Sequence, residues 1–395
     1  MPRVPDVIVV GGGLIGCLAA RALAADGRRV TLYERATLGR GASTAAAGML
    51  SPQMEWAEGI LVGEGEGAAE RLEAMLELCF AARERWPSFA AGLETETRRP
   101  LHIRDEGTLV VALSDSEAAE LEVQARVQQL RGLRAEWRDA RAAVDQEPGL
   151  ARDARGALYL ADDRQVDPGA LMAAAAASLA TQSGIRIETG AAVISITSRD
   201  GRAAGVTTAS GRADAGLVVL AAGAWSAGIA GLPRPLAVHP VKGQMAALRP
   251  EPMPIRHVVG GRGAYCVPRD DGRVVVGATV EEAGFDESVD PPAIEALVAA
   301  VCAAVPALAA APVETRWAGL RPGTSDDLPI LGEDPELPGL LYATGHYRNG
   351  ILLAPLTAEI VAALARGEAP SVDLSPFSPD RPSLAEPAAR DAARR

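Results

Sequence analysis

A glycine-rich hexapeptide, Gly11-Gly12-Gly13-Leu14-Ile15-Gly16, constrains this chain more than any other feature. It follows Asp6–Val10, an apolar run that reads as a short buried strand, and opens Leu14–Ala25, whose periodicity predicts a helix. Arg29–Tyr33 reads as a second strand. The arrangement fits GxGxxG in its proper context. Gly11 allows the tight turn, Gly13 lets the backbone approach a pyrophosphate, and Gly16 lets helix and strand pack closely. The helix start presents backbone N–H groups to phosphate. Glu34 closes the second strand 18 residues after Gly16, where a carboxylate accepts hydrogen bonds from ribose hydroxyls. The unit also accounts for a superficial likeness to a signal peptide, Arg3 followed by an apolar run ending at Ala24 and Ala25.

Composition narrows the remaining possibilities. At 395 residues the chain is long enough for two domains, and 48% hydrophobic with 23% charged residues is ordinary for a soluble protein. A net charge of −12 argues against nucleic acid as partner. Lys242 is the single lysine among 39 basic residues, which excludes a polybasic lysine anchor and leaves one candidate for Schiff-base chemistry. Cys17, Cys79, Cys266 and Cys302 show no CxxC spacing, and His102, His239, His257 and His346 are equally scattered, so neither a disulfide framework nor a metal site is expected. The longest apolar stretch, 296–313, is mostly alanine and carries Pro306 and Pro312, which argues against a membrane helix. A soluble, cytoplasmic protein is expected.

Along the chain, helices are predicted over about 67–93, 115–130, 168–183, 291–304 and 352–366. Asp167 is placed to cap the third, with Pro168 at its first position. Strands are predicted at 186–188, 193–198, 205–208, 217–221 and 340–344, and Leu101–Leu113 reads as a strand pair broken at Asp105-Glu106-Gly107. Residues 235–284 alternate short strands with turns, as in an antiparallel sheet. The expected class is α/β. A discontinuous Rossmann-type nucleotide domain (1–85, 150–234 and 319–368) would be interrupted by an α+β substrate domain with an antiparallel sheet (86–149 and 235–318). A disordered, proline-rich tail is expected over 369–395.

Further segments choose among dinucleotides. Arg40–Met49 is a run of small residues that admits a flat ring, with Ser43 able to reach phosphate. Val218–Ser226 is a buried strand leading into a small-residue turn through Gly223, a pattern frequent late in FAD domains. With Ala45–Met49, Trp317-Ala318-Gly319-Leu320-Arg321-Pro322-Gly323-Thr324 and, above all, Gly345-His346-Tyr347-Arg348-Asn349-Gly350-Ile351-Leu352-Leu353-Ala354-Pro355, the chain resembles the D-amino-acid oxidase superfamily of FAD enzymes over about residues 5–368. Within it the likeness is to the glycine oxidases of the thiamine pathway.

The resemblance implies roles at matching positions. Leu14 and Ile15 would lie against the pyrophosphate, and Glu34 and Arg35 would hold the adenosine ribose. Ala42, Ser43, Ala47, Gly48 and Met49 would contact pyrophosphate and flavin, and Val193 the adenine through its backbone. His346, Tyr347, Arg348, Asn349, Gly350, Ile351 and Leu352 would line the flavin and its ribityl chain. Arg321 would clamp a substrate carboxylate, with Arg348 and Tyr265 beside it, and Met49 and Val280 would border the substrate side chain. A planar guanidinium matches a carboxylate bidentately, which a lysine does not. The flavin-linking cysteine of sarcosine-oxidase-like relatives has no counterpart over 317–325, so the FAD would be non-covalent. Lys242, in Pro240-Val241-Lys242-Gly243-Gln244, is read as structural.

The implied activity is oxidation of a small amino acid, glycine among them, by molecular oxygen, in an enzyme that is homotetrameric by resemblance. Two other readings stay open at this stage: a D-amino-acid dehydrogenase delivering electrons to a quinone, and the flavin subunit of a hetero-oligomeric amine dehydrogenase.

Overall fold

The computed structural model describes residues 6–261 and 263–384. A six-stranded sheet runs in the order Ile330–Glu333, Leu340–Thr344, Leu217–Leu220, Val7–Val10, Val30–Glu34, Ile185–Thr189. Every neighbouring pair is parallel except the first. Val7–Val10 lies at the centre of this sheet and is buried on both faces, which is why it reads as an unbroken apolar run. Val7 and Val9 face a core shared with the helices Leu14–Ala25, Ala68–Thr97, Pro168–Thr181 and Gly350–Arg366. Ile8 and Val10 face the opposite core, roofed by a three-stranded antiparallel sheet of Val193–Arg199, Arg202–Thr208 and Gly211–Asp214.

The second large sheet has eight strands, in the order Val313–Thr324, Val238–Leu248, Val274–Gly277, Ala264–Pro268, Val258–Gly261, Thr108–Ala112, Gly156–Leu160, Ala135–Asp139. All its neighbours are antiparallel except Val258–Gly261 with Thr108–Ala112. Leu109 and Val111 join the core under the Pro291–Ala304 helix, while Val110 and Ala112 join the one that contains Met54, Met245 and Tyr265. No described helix is long and apolar enough to cross a membrane.

The local signals match the structure where they are strongest. The helices Leu14–Ala25, Asp115–Leu130 and Pro291–Ala304 and the strand Leu340–Thr344 lie at the expected residues. Asp167 caps its helix by accepting from the Ala170 N–H at 2.8 Å, and Ser114 with Glu117 forms a capping box.

Four expectations change. The pair of strands over Leu101–Leu113 is one strand, Thr108–Ala112, preceded by an isolated bridge between Arg104 and Gln165. Gly156–Leu160, assigned to the nucleotide block, lies in the eight-stranded sheet, because both Thr108–Ala112 and Ala135–Asp139 pair with it. The helix reaching Thr97 belongs beside the nucleotide sheet, where Trp86 Nε1 donates to the Leu352 carbonyl at 2.9 Å. Residues 369–384 are seated rather than disordered: Phe377 is buried, and Arg381 makes a bidentate pair with buried Asp326 at 2.7 and 2.9 Å. Two such anchors outweigh the proline content. Residues 385–395 of the expected tail lie outside the described residues.

Candidate active site

A cleft of about 1920 Å³, part of it open to solvent, runs between the two large sheets. At one end are Glu34, Arg35, Val193 and Trp225. Glu34 Oε2 accepts from the Gly12 N–H at 2.7 Å and Oε1 from Ala36 N–H at 2.8 Å, so this carboxylate also braces the glycine turn. The Arg35 guanidinium lies 3.4 Å over the Trp225 ring, a cation–π contact.

In the middle, the helices Leu14–Ala25 and Gly350–Arg366 both begin at the cleft wall, and neither is capped by the side chain of the residue before it, Gly13 or Asn349. Their positive dipole ends suit a pyrophosphate. Ser43 Oγ accepts from the Leu14 N–H at 2.9 Å and fixes the small-residue segment against that helix start. Ala42, Ala47, Gly48, Met49, Gly223, His346, Tyr347, Gly350 and Ile351 line the cleft with Gly11, Gly13, Leu14 and Ile15.

Three of the predicted cofactor residues act from behind the wall. Gly16 packs on Gly11, whose carbonyl oxygen fills the place a Cβ would take. Asn349 turns to Glu55, and Leu352 is core, its carbonyl taken by Trp86. Gly11 has φ +110°, the left-handed region that its turn requires of glycine.

The Ala45–Met49 segment is held from both sides. Trp317 Nε1 donates to the Ala45 carbonyl at 3.0 Å. Arg269, buried, donates to the carbonyl of Ala47 and, at 3.0 Å each, to Val166 and to the Gln165 side chain. Burial pulls its pKa down to about 10, still far above neutrality.

At the other end Arg321, Tyr265 and Arg348 converge. Arg321 lies in the Val313–Thr324 strand, paired opposite Val241, rather than in the turn its glycine and proline neighbours suggest. Its Nη1 donates to the carbonyls of Thr279 at 3.1 Å and Lys242 at 3.4 Å. Burial, then Arg348, lowers its pKa, yet a guanidinium starts so high that it stays charged. Burial raises the Tyr265 pKa against the pull of both arginines, so the phenol remains a donor. Two glycines make this cluster possible. A Cβ at 243 would stand 2.5 Å from Arg321 Cζ, and one at 277 would stand 2.6 Å from the Tyr265 hydroxyl.

His346 Nε2 pairs with Thr357 Oγ1 at 3.0 Å, and burial pulls its pKa down to about 3, so it holds no proton charge at neutral pH. Val280 is 41% exposed and off the cleft wall, unlike Met49. Lys242 is buried with Nζ 2.7 Å from Asp286, a structural pair that binds the segment after the Val274–Gly277 strand to the sheet.

A family model described as FAD dependent oxidoreductase, DAO, matches residues 6–364. The chain belongs to this D-amino-acid oxidase family. A glycine oxidase of Geobacillus kaustophilus is 36% identical over 376 residues, covering 94% of this chain and 96% of that one. The crystal structure of glycine oxidase from that organism superposes with a TM-score of 0.87 at 34% identity, covering 95% and 98%. A bifunctional protein ThiO/ThiG of Synechocystis is 36% identical over 96% of this chain and 54% of its own length.

The cofactor of the D-amino-acid oxidase family is FAD, and the cleft fits it. Its lining runs from the Glu34 carboxylate past two helix starts, and its wall at Ala45–Gly48 carries no side chain larger than a methyl that would fill the place of a flat ring.

Sequence reasoning missed Glu55, Arg269 and the two glycines. Glu55 sits on a short helix, Pro52–Ala57, whose start was signalled by Ser51-Pro52; the others carry no local pattern.

Proposed function

We propose that this chain oxidises the α-carbon of glycine or another small amino acid. The imine formed would pass to thiamine thiazole assembly or hydrolyse to glyoxylate and ammonia, with oxygen as final acceptor and hydrogen peroxide as product. The observation that carries this reading is the meeting of Arg321, Tyr265 and Arg348 at the end of the cleft beside the Ala45–Met49 wall. The glycine oxidases at 34–36% identity support it. FAD, bound non-covalently, supplies the acceptor for the hydride that leaves the α-carbon.

The residues do the rest. Arg321 and Tyr265 fix the carboxylate and thereby the α-carbon. Burial and two nearby guanidinium charges disfavour the ammonium form of the substrate, so the amine binds or becomes neutral without a dedicated base. His346, uncharged and engaged with Thr357, is not that base.

Anaerobic mixing of the yellow protein with glycine, sarcosine, D-alanine and D-proline tests the proposal. Bleaching by at least one, reversed by air with release of peroxide, is expected. Bleaching by none overturns it, and bleaching that air reverses only with an added quinone assigns a dehydrogenase instead.

A further inference from the structure

The two arginines of the substrate end are not equivalent. Among the described residues no carboxylate forms an ion pair with Arg321, which donates to the backbone carbonyls of Thr279 and Lys242. Arg348 Nε, by contrast, donates to Glu55 Oε1 at 3.3 Å, and Glu55 Oε2 accepts from Asn349 Nδ2 at 2.9 Å. Both members of the Arg348–Glu55 pair are largely buried, with side chains 13% and 8% exposed, and both border the cleft.

Glu55 is held there firmly. On its helix Gln53 is fully buried, donating to Gln128 Oε1 at 3.0 Å and accepting from Arg83 at 2.6 Å. The Met54 N–H donates to Asp163 Oδ2 at 3.2 Å, and the Met54 side chain fills the space left by Gly260. Glu58, just past the end of the same helix, is half-buried with one carboxylate oxygen, itself buried, unpartnered, and its pKa is pushed up to about 7, chiefly by burial. Where Glu58 keeps its proton, below its pKa of about 7, two guanidinium charges and one fixed carboxylate leave one positive charge to be matched from outside.

We propose that Glu55 is a specificity-determining residue, which neutralises Arg348 so that the pocket accepts an amino acid with one carboxylate and rejects one carrying a second anionic group beside the amine. This rests on the amino-acid oxidase reading. A second carboxylate would meet Glu55 in a poorly hydrated site, where like charges repel strongly and no free guanidinium answers it.

The test uses the FAD-loaded protein, its E55Q and E55D variants, and two probe pairs. Glycine and iminodiacetate are compared as substrates by kcat/KM, and acetate and malonate as ligands by their effect on the visible flavin spectrum. E55Q is expected to raise the iminodiacetate-to-glycine ratio, and the malonate-to-acetate affinity ratio, by about tenfold or more. E55D, which keeps the charge, should keep the wild-type ratios. Unchanged ratios in E55Q, or an equal shift in E55D, overturn the proposal. Should E55Q not hold FAD, the double variant E55Q/R348M removes both charges together and must show the wild-type preference; a changed preference overturns the proposal. If the wild type bleaches with no amino acid, the oxidase reading fails while the acetate and malonate titrations still decide the role of Glu55.

Discussion

Through its middle the cleft is built mainly of backbone, and at the Arg321 end of side chains. The glycine turn, the two helix starts and the Ala45–Gly48 wall offer N–H groups and empty space, held by short contacts such as Glu34 to Gly12 and Ser43 to Leu14. The substrate end instead collects Arg321, Tyr265, Arg348 and Glu55 from separate elements, and two glycines must vacate volume for them. Backbone sites tolerate side-chain change but not added volume. Side-chain sites depend on each charge having its partner.

The largest expected effect tests the substrate end. Arg321→Ala should weaken substrate binding by about 2–5 kcal/mol, the usual result of removing one partner of a buried charge contact. KM should rise with FAD content intact; an unchanged KM would show that Arg321 is not the carboxylate clamp.

Gly16→Ala tests the backbone-built part, because the new methyl meets the Gly11 carbonyl. Overpacking of this kind costs about 1–3 kcal/mol, and here it displaces the turn itself. Denaturant midpoint and bound FAD should fall together. Loss of stability with full FAD retention would separate the turn from the cofactor.

A smaller effect is expected from Gly243→Ala. The added Cβ must push the Arg321 guanidinium aside, raising KM by about tenfold, or roughly 1.4 kcal/mol, while FAD affinity stays at its wild-type value. If FAD is lost as well, the two ends of the cleft are coupled more tightly than their separate construction implies.

The smallest concerns pH. Burial pushes the Asp163 carboxyl up to about 8 from an ordinary value of 3.8, with Arg83 opposing. Between those values the folded chain holds a proton that the unfolded chain has released. The stability this group contributes is therefore complete below about pH 4 and is lost as pH rises toward 8. Asp163→Asn should flatten the decline of thermal stability between pH 5 and pH 8. A wild-type curve without that decline would mean Asp163 is ionised when folded, with its charge answered by Arg83.

Legibility in the sequence followed locality. Wherever a few neighbouring residues carry the instruction, as in the glycine turn, the Asp167 cap and the apolar strand Val7–Val10, elements emerged at the right residues. The tail misled because proline content signals disorder while Phe377 and Arg381 act through distant partners. Arg321 misled in a different way: its glycine and proline neighbours suggest a turn, but pairing along the whole Val238–Leu248 strand imposes an extended backbone. The short helix bearing Glu55 lies below the length at which periodicity is readable.

By itself the sequence determined that a GxGxxG turn would join the first strand and helix, that the chain would be α/β, and that its cysteines and histidines stand in no recognisable disulfide or metal-ligand spacing. Only the tertiary structure decided which charges stand together. Glu55 and Arg348 are 293 positions apart, and Arg269 reaches back 222 positions to Ala47. No propensity or period links such residues; the packing of two sheets across one cleft brings them within reach, and burial then makes each unpaired charge costly enough to matter.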